Sequence, residues 1–141
     1  GLTYAQKHFN PRCIVDYATL TGGCVVALAN VRAGVISNND TLFDELYNSG
    51  ERTWERVWRL PTDDDYAEML KSTDADIKNS GGRWGSPVTG GMFLKAFVDD
   101  QIPWAHIDIA GVADSDKPSA YSVPGATGFG IRLTIDWLKS L

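Results

Sequence analysis

Residues 13–23 read Cys13-Ile14-Val15-Asp16-Tyr17-Ala18-Thr19-Leu20-Thr21-Gly22-Gly23, and they are the clearest indication of the fold class. Residues 13–17 are mostly apolar and rich in β-branched side chains, which predicts a short buried strand. Residues 18–23 are small or polar and end in a glycine pair, so they predict a loop. The apolar run at residues 24–31 then predicts a buried helix. A strand that leads through a short loop into a helix is typical of α/β domains.

Strands and helices continue to alternate along the chain. Short apolar runs predict further strands at residues 33–37 and 104–110. Helices are predicted before Pro11, from Asn39 or Asp40 to Gly50, after Thr62, over residues 92–98 and at the C-terminal end. The alternation indicates a layered α/β domain.

Local signals add detail to three of these segments. Thr62 and Asp65 approximate a capping box, with Asp in place of the usual Glu. Residues 54–60 are aromatic and mixed, and their state stays open. In the last helix, Ile131, Ile135 and Leu138 recur at i, i+4 and i+7 and form an apolar face.

Composition and charge exclude several classes of protein. The chain has 141 residues, of which 43% are hydrophobic and 22% charged, and this fits one domain with one core. Its net charge of −5 and pI of about 4.8 argue against non-specific binding to nucleic acid, which requires a basic surface. The sequence contains neither an apolar run of membrane-spanning length nor a signal-peptide pattern. We expect no nucleic-acid partner and no membrane.

The two cysteines, Cys13 and Cys24, both lie in apolar surroundings. They lack the CxxC spacing of redox and zinc motifs, and no histidine lies near them in sequence. Two reduced, buried thiols in a cytoplasmic protein are therefore favoured over a disulfide or a metal pair. Burial of Cys24 should also raise its pKa, which argues against a role as nucleophile.

The loop at residues 19–23 is a candidate ligand site, because it follows the C-terminal end of a predicted strand. Its glycines would let a ligand approach backbone N–H groups closely. The alternative is a tight structural turn, which is favoured on the residues alone. A phosphate-binding P-loop is excluded, since the lysine of that motif is missing.

Other polar residues carry weaker hypotheses. His106 and Asp108 share one face of a strand and could bind a metal or orient a base, but a hydrogen-bonded structural pair is favoured. Asp63–Asp65 are better explained by helix capping, and Asp74 and Asp76 by a polar surface. Arg83, among glycines, could hold an anion or serve packing.

Five stretches, in order along the chain, resemble one known family. They are Asp16-Tyr17-Ala18-Thr19-Leu20-Thr21-Gly22, Val57-Trp58-Arg59-Leu60-Pro61, Ala75-Asp76-Ile77-Lys78-Asn79 with Gly81-Gly82-Arg83, Trp104-Ala105-His106-Ile107-Asp108-Ile109-Ala110-Gly111 and Gly125-Ala126-Thr127-Gly128-Phe129-Gly130. Their order and spacing are similar to those of the leucyl aminopeptidases (cytosol aminopeptidases, peptidase family M17). The resemblance covers essentially the whole chain.

This resemblance implies a three-layer α/β/α fold with a central mixed sheet, of which residues 1–141 form a C-terminal portion of the catalytic domain. It implies a peptidase in which two divalent ions, Zn or Mn, bind and polarise a peptide substrate. Such enzymes form hexamers and are cytoplasmic. The expected partners are a peptide substrate, the rest of the same polypeptide and further copies of it.

The family's metal-binding signature, Asn-Thr-Asp-Ala-Glu-Gly-Arg, is not found in these residues. The resemblance places it, and the other ligands including a lysine, upstream of the first helix. The chain also starts without a helix cap, so we expect a fragment or a processed piece. No catalytic residue and no metal is expected in this span, which should be inactive alone and prone to self-association.

The resemblance implies that the span supplies one wall of the substrate pocket. Thr19, Leu20 and Gly22 match positions where loop backbone groups would bind the substrate peptide. Ala110 and Ala113 match positions that shape the apolar pocket for the first side chain. The alternative is a non-catalytic, aminopeptidase-like module for assembly or small-ligand binding.

Overall fold

The structure is a computed structural model that describes residues 1–118, 120 and 123–141. Helices and strands alternate through most of the described part of the chain, as the sequence predicts. They are α1 (Leu2–Phe9), β1 (Ile14–Ala18), α2 (Gly22–Leu28), β2 (Ala33–Ser37), α3 (Asp40–Thr53), β3 (Val57–Arg59), α4 (Asp64–Glu68), α5 (Ser86–Lys95), β4 (Trp104–Asp108), β5 (Asp114–Ser115), β6 (Gly125–Ala126) and α6 (Ile131–Ser140).

The central sheet has the strand order β1-β4-β2-β3. Strand β4 runs parallel to β1 and antiparallel to β2, while β2 and β3 are parallel. The expected mixed sheet is therefore confirmed. Because β1 and β4 are parallel, with Ala18 opposite Asp108, their C-terminal ends lie at one edge of the sheet.

Helices cover both faces of this sheet. Helices α3 and α6 pack on one face, where Leu46 and Leu133 join Ile107 of β4 in the main core. Helix α5 lies on the other face and approaches so closely that a Cβ at Gly91 would be 2.2 Å from Ile36 Cγ1. The result is the α/β/α layering that the resemblance implies. No helix in the described ranges is long and apolar enough to span a membrane.

Two predicted helices differ from the observed ones because their surroundings differ. The helix predicted as buried at residues 24–31 starts at Gly22 and ends at Leu28, and only Cys24 is buried, since one face alone meets the sheet and α5. Gly50 does not end α3, which continues to Thr53. Instead, Gly50 lies against the segment after α3, where a Cβ would be 2.8 Å from the Glu55 backbone oxygen.

Helix starts were also misplaced by the sequence signals. The N-cap of α4 is Asp63, and its side chain makes no capping hydrogen bond within the described residues, so the predicted Thr62–Asp65 capping box is wrong. Helix α5 starts at Ser86 rather than at residue 92, because Pro87 suits the first turn of a helix.

Two predicted apolar surfaces are less buried than the patterns indicate. Strand β1 is only half-buried along its length, since it is an edge strand in the described sheet. In α6, Ile131, Ile135 and Leu138 are 61%, 49% and 54% exposed. The buried residues of that helix are Leu133 and Trp137, on its other side.

Candidate functional site

The candidate site lies where β1 and β4 end side by side. The ladder extends one step beyond the strands, because Ile109 N donates to Ala18 O at 2.9 Å. The chain then turns away in two segments, residues 19–22 after β1 and residues 110–113 after β4. Ligands of α/β proteins are commonly bound at such a carboxyl edge.

Asp108, the last residue of β4, joins these two segments. Its Oδ1 accepts hydrogen bonds from Leu20 N and from Ala110 N, both at 3.1 Å. Its Oδ2 accepts one from Thr21 Oγ1 at 2.7 Å. The side chain is buried, with 2% of the residue exposed. A single carboxylate therefore ties the loop after β1 to the turn after β4.

Thr21 also starts helix α2. Its Oγ1 accepts from Cys24 N at 3.1 Å, as an N-cap side chain does. The buried Cys24 Sγ lies 3.6 Å from Asp108 O. Burial, followed by the nearby Asp108 charge, raises the pKa of the Cys24 thiol to about 11. The expected rise in this pKa is confirmed, and the thiol is poorly suited to nucleophilic attack.

Glycines allow α5 to pack closely against the loop that follows β1. A Cβ at Gly90 would lie 3.1 Å from Leu20 Cδ2 and from Thr21 Cγ2. A Cβ at Gly23 would lie 2.2 Å from Ser86 Oγ. Gly23 is thus required for packing against α5, whereas a Cβ at Gly22 would meet no described atom within 4 Å. Gly23 thus serves the packing purpose within the first turn of α2, whereas Gly22 faces open space, and a ligand at the loop stays a prediction.

The predicted substrate residues are accessible at this edge. Thr19, Leu20 and Gly22 are exposed, and Ala110 and Ala113 are half-buried. Asp108 brings the backbone of Leu20 and of Ala110 together. Ala113 is held further along the same turn, where its N–H donates to Ile109 O at 2.9 Å.

A second polar network lies beneath the site and was not predicted. His106 is fully buried, and its Nδ1 lies 2.6 Å from Asp16 Oδ1. Trp104 Nε1 donates to Asp16 Oδ2 at 2.7 Å. His106 Nε2 is buried and has no hydrogen-bond partner among the described residues. His106 and Asp108 both have structural hydrogen bonds, as favoured. His106 bonds to Asp16, whereas Asp108 bonds to residues of the two site segments.

The described residues do not fit a metal centre. They contain no group of three or more His, Cys, Asp or Glu side chains placed to hold an ion. Asp63–Asp65, Asp74 and Asp76 are exposed. A two-metal site requires several convergent carboxylates, so no step of metal chemistry is derived from this span.

The other histidine, His8, and the candidate Arg83 are also surface groups. His8 is exposed on α1, with its ring 4.2 Å from that of Tyr4. The guanidinium of Arg83 is exposed and lies 5.2 Å from the ring of Trp84. Neither converges with the segments at the end of β1 and β4.

Comparison with known proteins identifies a family. The family model described as the catalytic domain of the cytosol aminopeptidase family matches residues 1–135. A Chlorobium phaeobacteroides protein named "Probable cytosol aminopeptidase" is 52% identical over 139 residues, which are 99% of this chain and 27% of that protein. The chain thus spans little more than a quarter of the length of this relative.

Solved structures give the same fold. A mutant of tomato leucine aminopeptidase superposes with a TM-score of 0.91 at 38% identity, covering 99% of this chain and 26% of that one. The bottromycin maturation enzyme BotP superposes with a TM-score of 0.92 at 34% identity, covering 99% and 31%.

Proposed function

The chain belongs to the cytosol aminopeptidase family, and we propose that it is part of a two-metal leucyl aminopeptidase that releases N-terminal amino acids from peptides. Residues 1–141 are a C-terminal portion of its catalytic domain. The names of the relatives support a hydrolase as the parent protein. They do not favour the alternative of a non-catalytic module.

The contribution of this span is one wall of the substrate pocket. The observation that carries this assignment is the hydrogen bonding of Asp108, which joins residues 19–22 to residues 110–113 at the carboxyl edge of the sheet. Exposed backbone groups of Thr19, Leu20 and Gly22 bind the peptide. Ala110 and Ala113 leave room for a large apolar first side chain because each carries only a methyl group.

The chemistry belongs to the parent enzyme as a whole. Two divalent ions, Zn or Mn, would polarise the scissile carbonyl and activate water, held by carboxylates and a lysine outside residues 1–141. The parent is proposed to be a cytoplasmic hexamer. Within the described residues, the acidic side chains are dispersed rather than convergent, so none is assigned a catalytic role.

The test is hydrolysis of leucine p-nitroanilide by the full-length parent. We expect turnover that is lost after EDTA treatment and restored by Mn²⁺ or Zn²⁺. The 141-residue chain alone should release no p-nitroaniline under the same conditions. A full-length parent that is folded and metal-loaded, yet hydrolyses neither leucine p-nitroanilide nor leucine-containing dipeptides, would refute the proposed activity.

A further inference from the structure

Both segments of the pocket wall depend on the same buried carboxylate, and we propose that Asp108 is a positioning residue that sets the width and selectivity of the pocket for the first side chain. Asp108 acts through the segments it holds, not by touching substrate. The proposal rests on the proposed function, because it assumes that residues 19–22 and 110–113 line that pocket.

The geometry supports a shared anchor. Leu20 N and Ala110 N donate to the same oxygen, Asp108 Oδ1, at equal distances of 3.1 Å. A shift of this oxygen therefore moves both segments together. The second oxygen accepts from Thr21 Oγ1 at 2.7 Å, so the carboxylate is also fixed against rotation about its last bond.

The surroundings make this anchor rigid. Asp108 ends an interior strand that pairs with β1 on one side and β2 on the other. The turn after it packs tightly on the end of α2, since a Cβ at Gly111 would lie 2.0 Å from Ala29 O. The loop after β1 is supported by α5 at Gly90. Between these supports, the hydrogen bonds of Asp108 are the direct polar link between the two segments.

Replacement of the carboxylate should alter selectivity rather than chemistry. In Asp108→Asn, an amide NH₂ replaces one of the two acceptor oxygens, so at least one of the three donors loses its acceptor. Misplacement of a substrate-holding group by about 1 Å costs on the order of 100-fold in rate. We therefore expect kcat/KM for leucine p-nitroanilide to fall about 10- to 100-fold, chiefly through KM.

The matched control is Asp16→Asn. Asp16 is also a hydrogen-bonded aspartate on a strand of the same sheet, but it bonds to Trp104 and His106 and not to the pocket segments. Both variants are made in the full-length parent, and their bound metal is measured. For Asp108→Asn we expect normal metal content and a lower ratio of activity on leucine to alanine p-nitroanilide, whereas Asp16→Asn keeps the wild-type KM and ratio.

A purely structural role predicts a different result. Loss of folded enzyme would lower kcat equally for both substrates and leave KM and the ratio unchanged, and that outcome for Asp108→Asn overturns the proposal. If the wild type itself is inactive, the proposed function fails and not the positioning role alone.

If Asp108→Asn does not fold, two variants of Thr21 provide the test. Thr21→Ser keeps the hydroxyl that donates to Asp108, so its KM should differ less from the wild-type KM than that of Thr21→Val. Thr21→Val removes both the donor to Asp108 and the acceptor for Cys24 N, both of which Thr21→Ser keeps. It should shift KM and the leucine-to-alanine ratio in the same direction as Asp108→Asn, by several-fold. A wild-type ratio in Thr21→Val would contradict the proposal.

Discussion

Asp16 and His106 face each other across the parallel ladder of β1 and β4, with Asp16 Oδ1 2.6 Å from His106 Nδ1. The other oxygen of Asp16 accepts from Trp104 Nε1 at 2.7 Å. One carboxylate on the outer strand therefore binds one nitrogen of each of two buried rings on the interior strand. Buried polar groups without such a partner are costly, so this pairing stabilises the edge of the sheet that leads to the candidate site.

Removal of the Asp16 carboxylate should destabilise the fold. In Asp16→Ala the two ring nitrogens lose their acceptor, and each unsatisfied buried group costs about 1–3 kcal/mol. We expect the free energy of unfolding to fall by about 2–4 kcal/mol, measured by urea titration of the parent protein with tryptophan fluorescence. Asp116→Ala, at an exposed position, is the control and should leave the urea midpoint unchanged. Equal midpoints for the two variants would contradict this role of Asp16.

Glu55 stabilises α6 from a distant part of the chain. Its buried Oε2 accepts from Gly130 N at 3.0 Å and from Leu133 N at 2.8 Å, at the start of that helix. Gly130 occupies the N-cap position and has no side chain for this purpose. A carboxylate at a helix N-terminus also interacts favourably with the helix dipole. Glu55 thus provides the cap that the helix's own sequence lacks.

Glu55→Ala should therefore lower the free energy of unfolding by about 2–3 kcal/mol, while Glu55→Gln, which keeps one acceptor oxygen, should cost less. The control is Glu68→Ala, which removes an exposed ion pair with Lys71 and should cost less than about 0.5 kcal/mol. Helix content by circular dichroism and the urea midpoint are measured for the Glu55 variants and for the control. A Glu55→Ala protein as stable as Glu68→Ala would refute the capping role.

Cys24 should make stability fall at alkaline pH. Its folded pKa of about 11 lies above 9.0, so the unfolded thiol loses its proton first as the pH rises. The stabilising contribution is present below about pH 9 and is lost as the pH approaches 11. At pH 8, the fraction of Cys24 present as thiolate is about 100-fold higher in the unfolded chain than in the folded protein.

Thiol titration checks the predicted difference in Cys24 reactivity between the folded and the unfolded protein. Ellman's reagent should modify Cys24 slowly in the folded protein at pH 8 and rapidly in guanidinium chloride. Cys24→Ser identifies the contribution of Cys13, whose pKa is also raised by burial. Two thiols that both react at once in the folded protein would show that Cys24 is accessible.

The exposed face of α6 should promote association of the isolated chain. Ile131 and Ile135 line a shallow apolar cleft with Tyr17 and Phe129, and Leu138 is exposed further along the same helix. Contiguous exposed apolar surface of this kind favours burial against another molecule. Light scattering after gel filtration should give a mass above the 15.4 kDa of one chain. Ile135→Lys should reduce it, whereas Ala67→Lys, on exposed α4, should not.

The same face shows what the sequence could and could not predict about packing. Residues 131, 135 and 138 recur at helical spacing, but so do Leu133 and Trp137. Periodicity identifies both apolar rows without deciding which one faces the core. The contact with α3 decides it, since Leu46 of that helix shares the main core with Leu133 and Trp137.

Strands were easier to predict than the site. The β-branched runs of β1 and β2 are local signals, and both strands lie where expected. The alternation in β4 places His106 and Asp108 on one face correctly. Their partners could not be predicted from spacing, because Asp16 and Thr21 lie about 90 residues away and meet them only through the parallel pairing of β1 with β4.

The most direct test of the central claim, that this span forms a wall of the aminopeptidase pocket, is the kinetics of Ala113→Leu in the full-length parent. We expect kcat/KM for leucine p-nitroanilide to fall about 10-fold or more, and that for alanine p-nitroanilide to change little, because the added side chain fills the space for a large first residue. Ala67→Leu, on exposed α4, should match the wild type on both substrates. An Ala113→Leu enzyme with normal metal content and unchanged kinetics on leucine p-nitroanilide would contradict the claim.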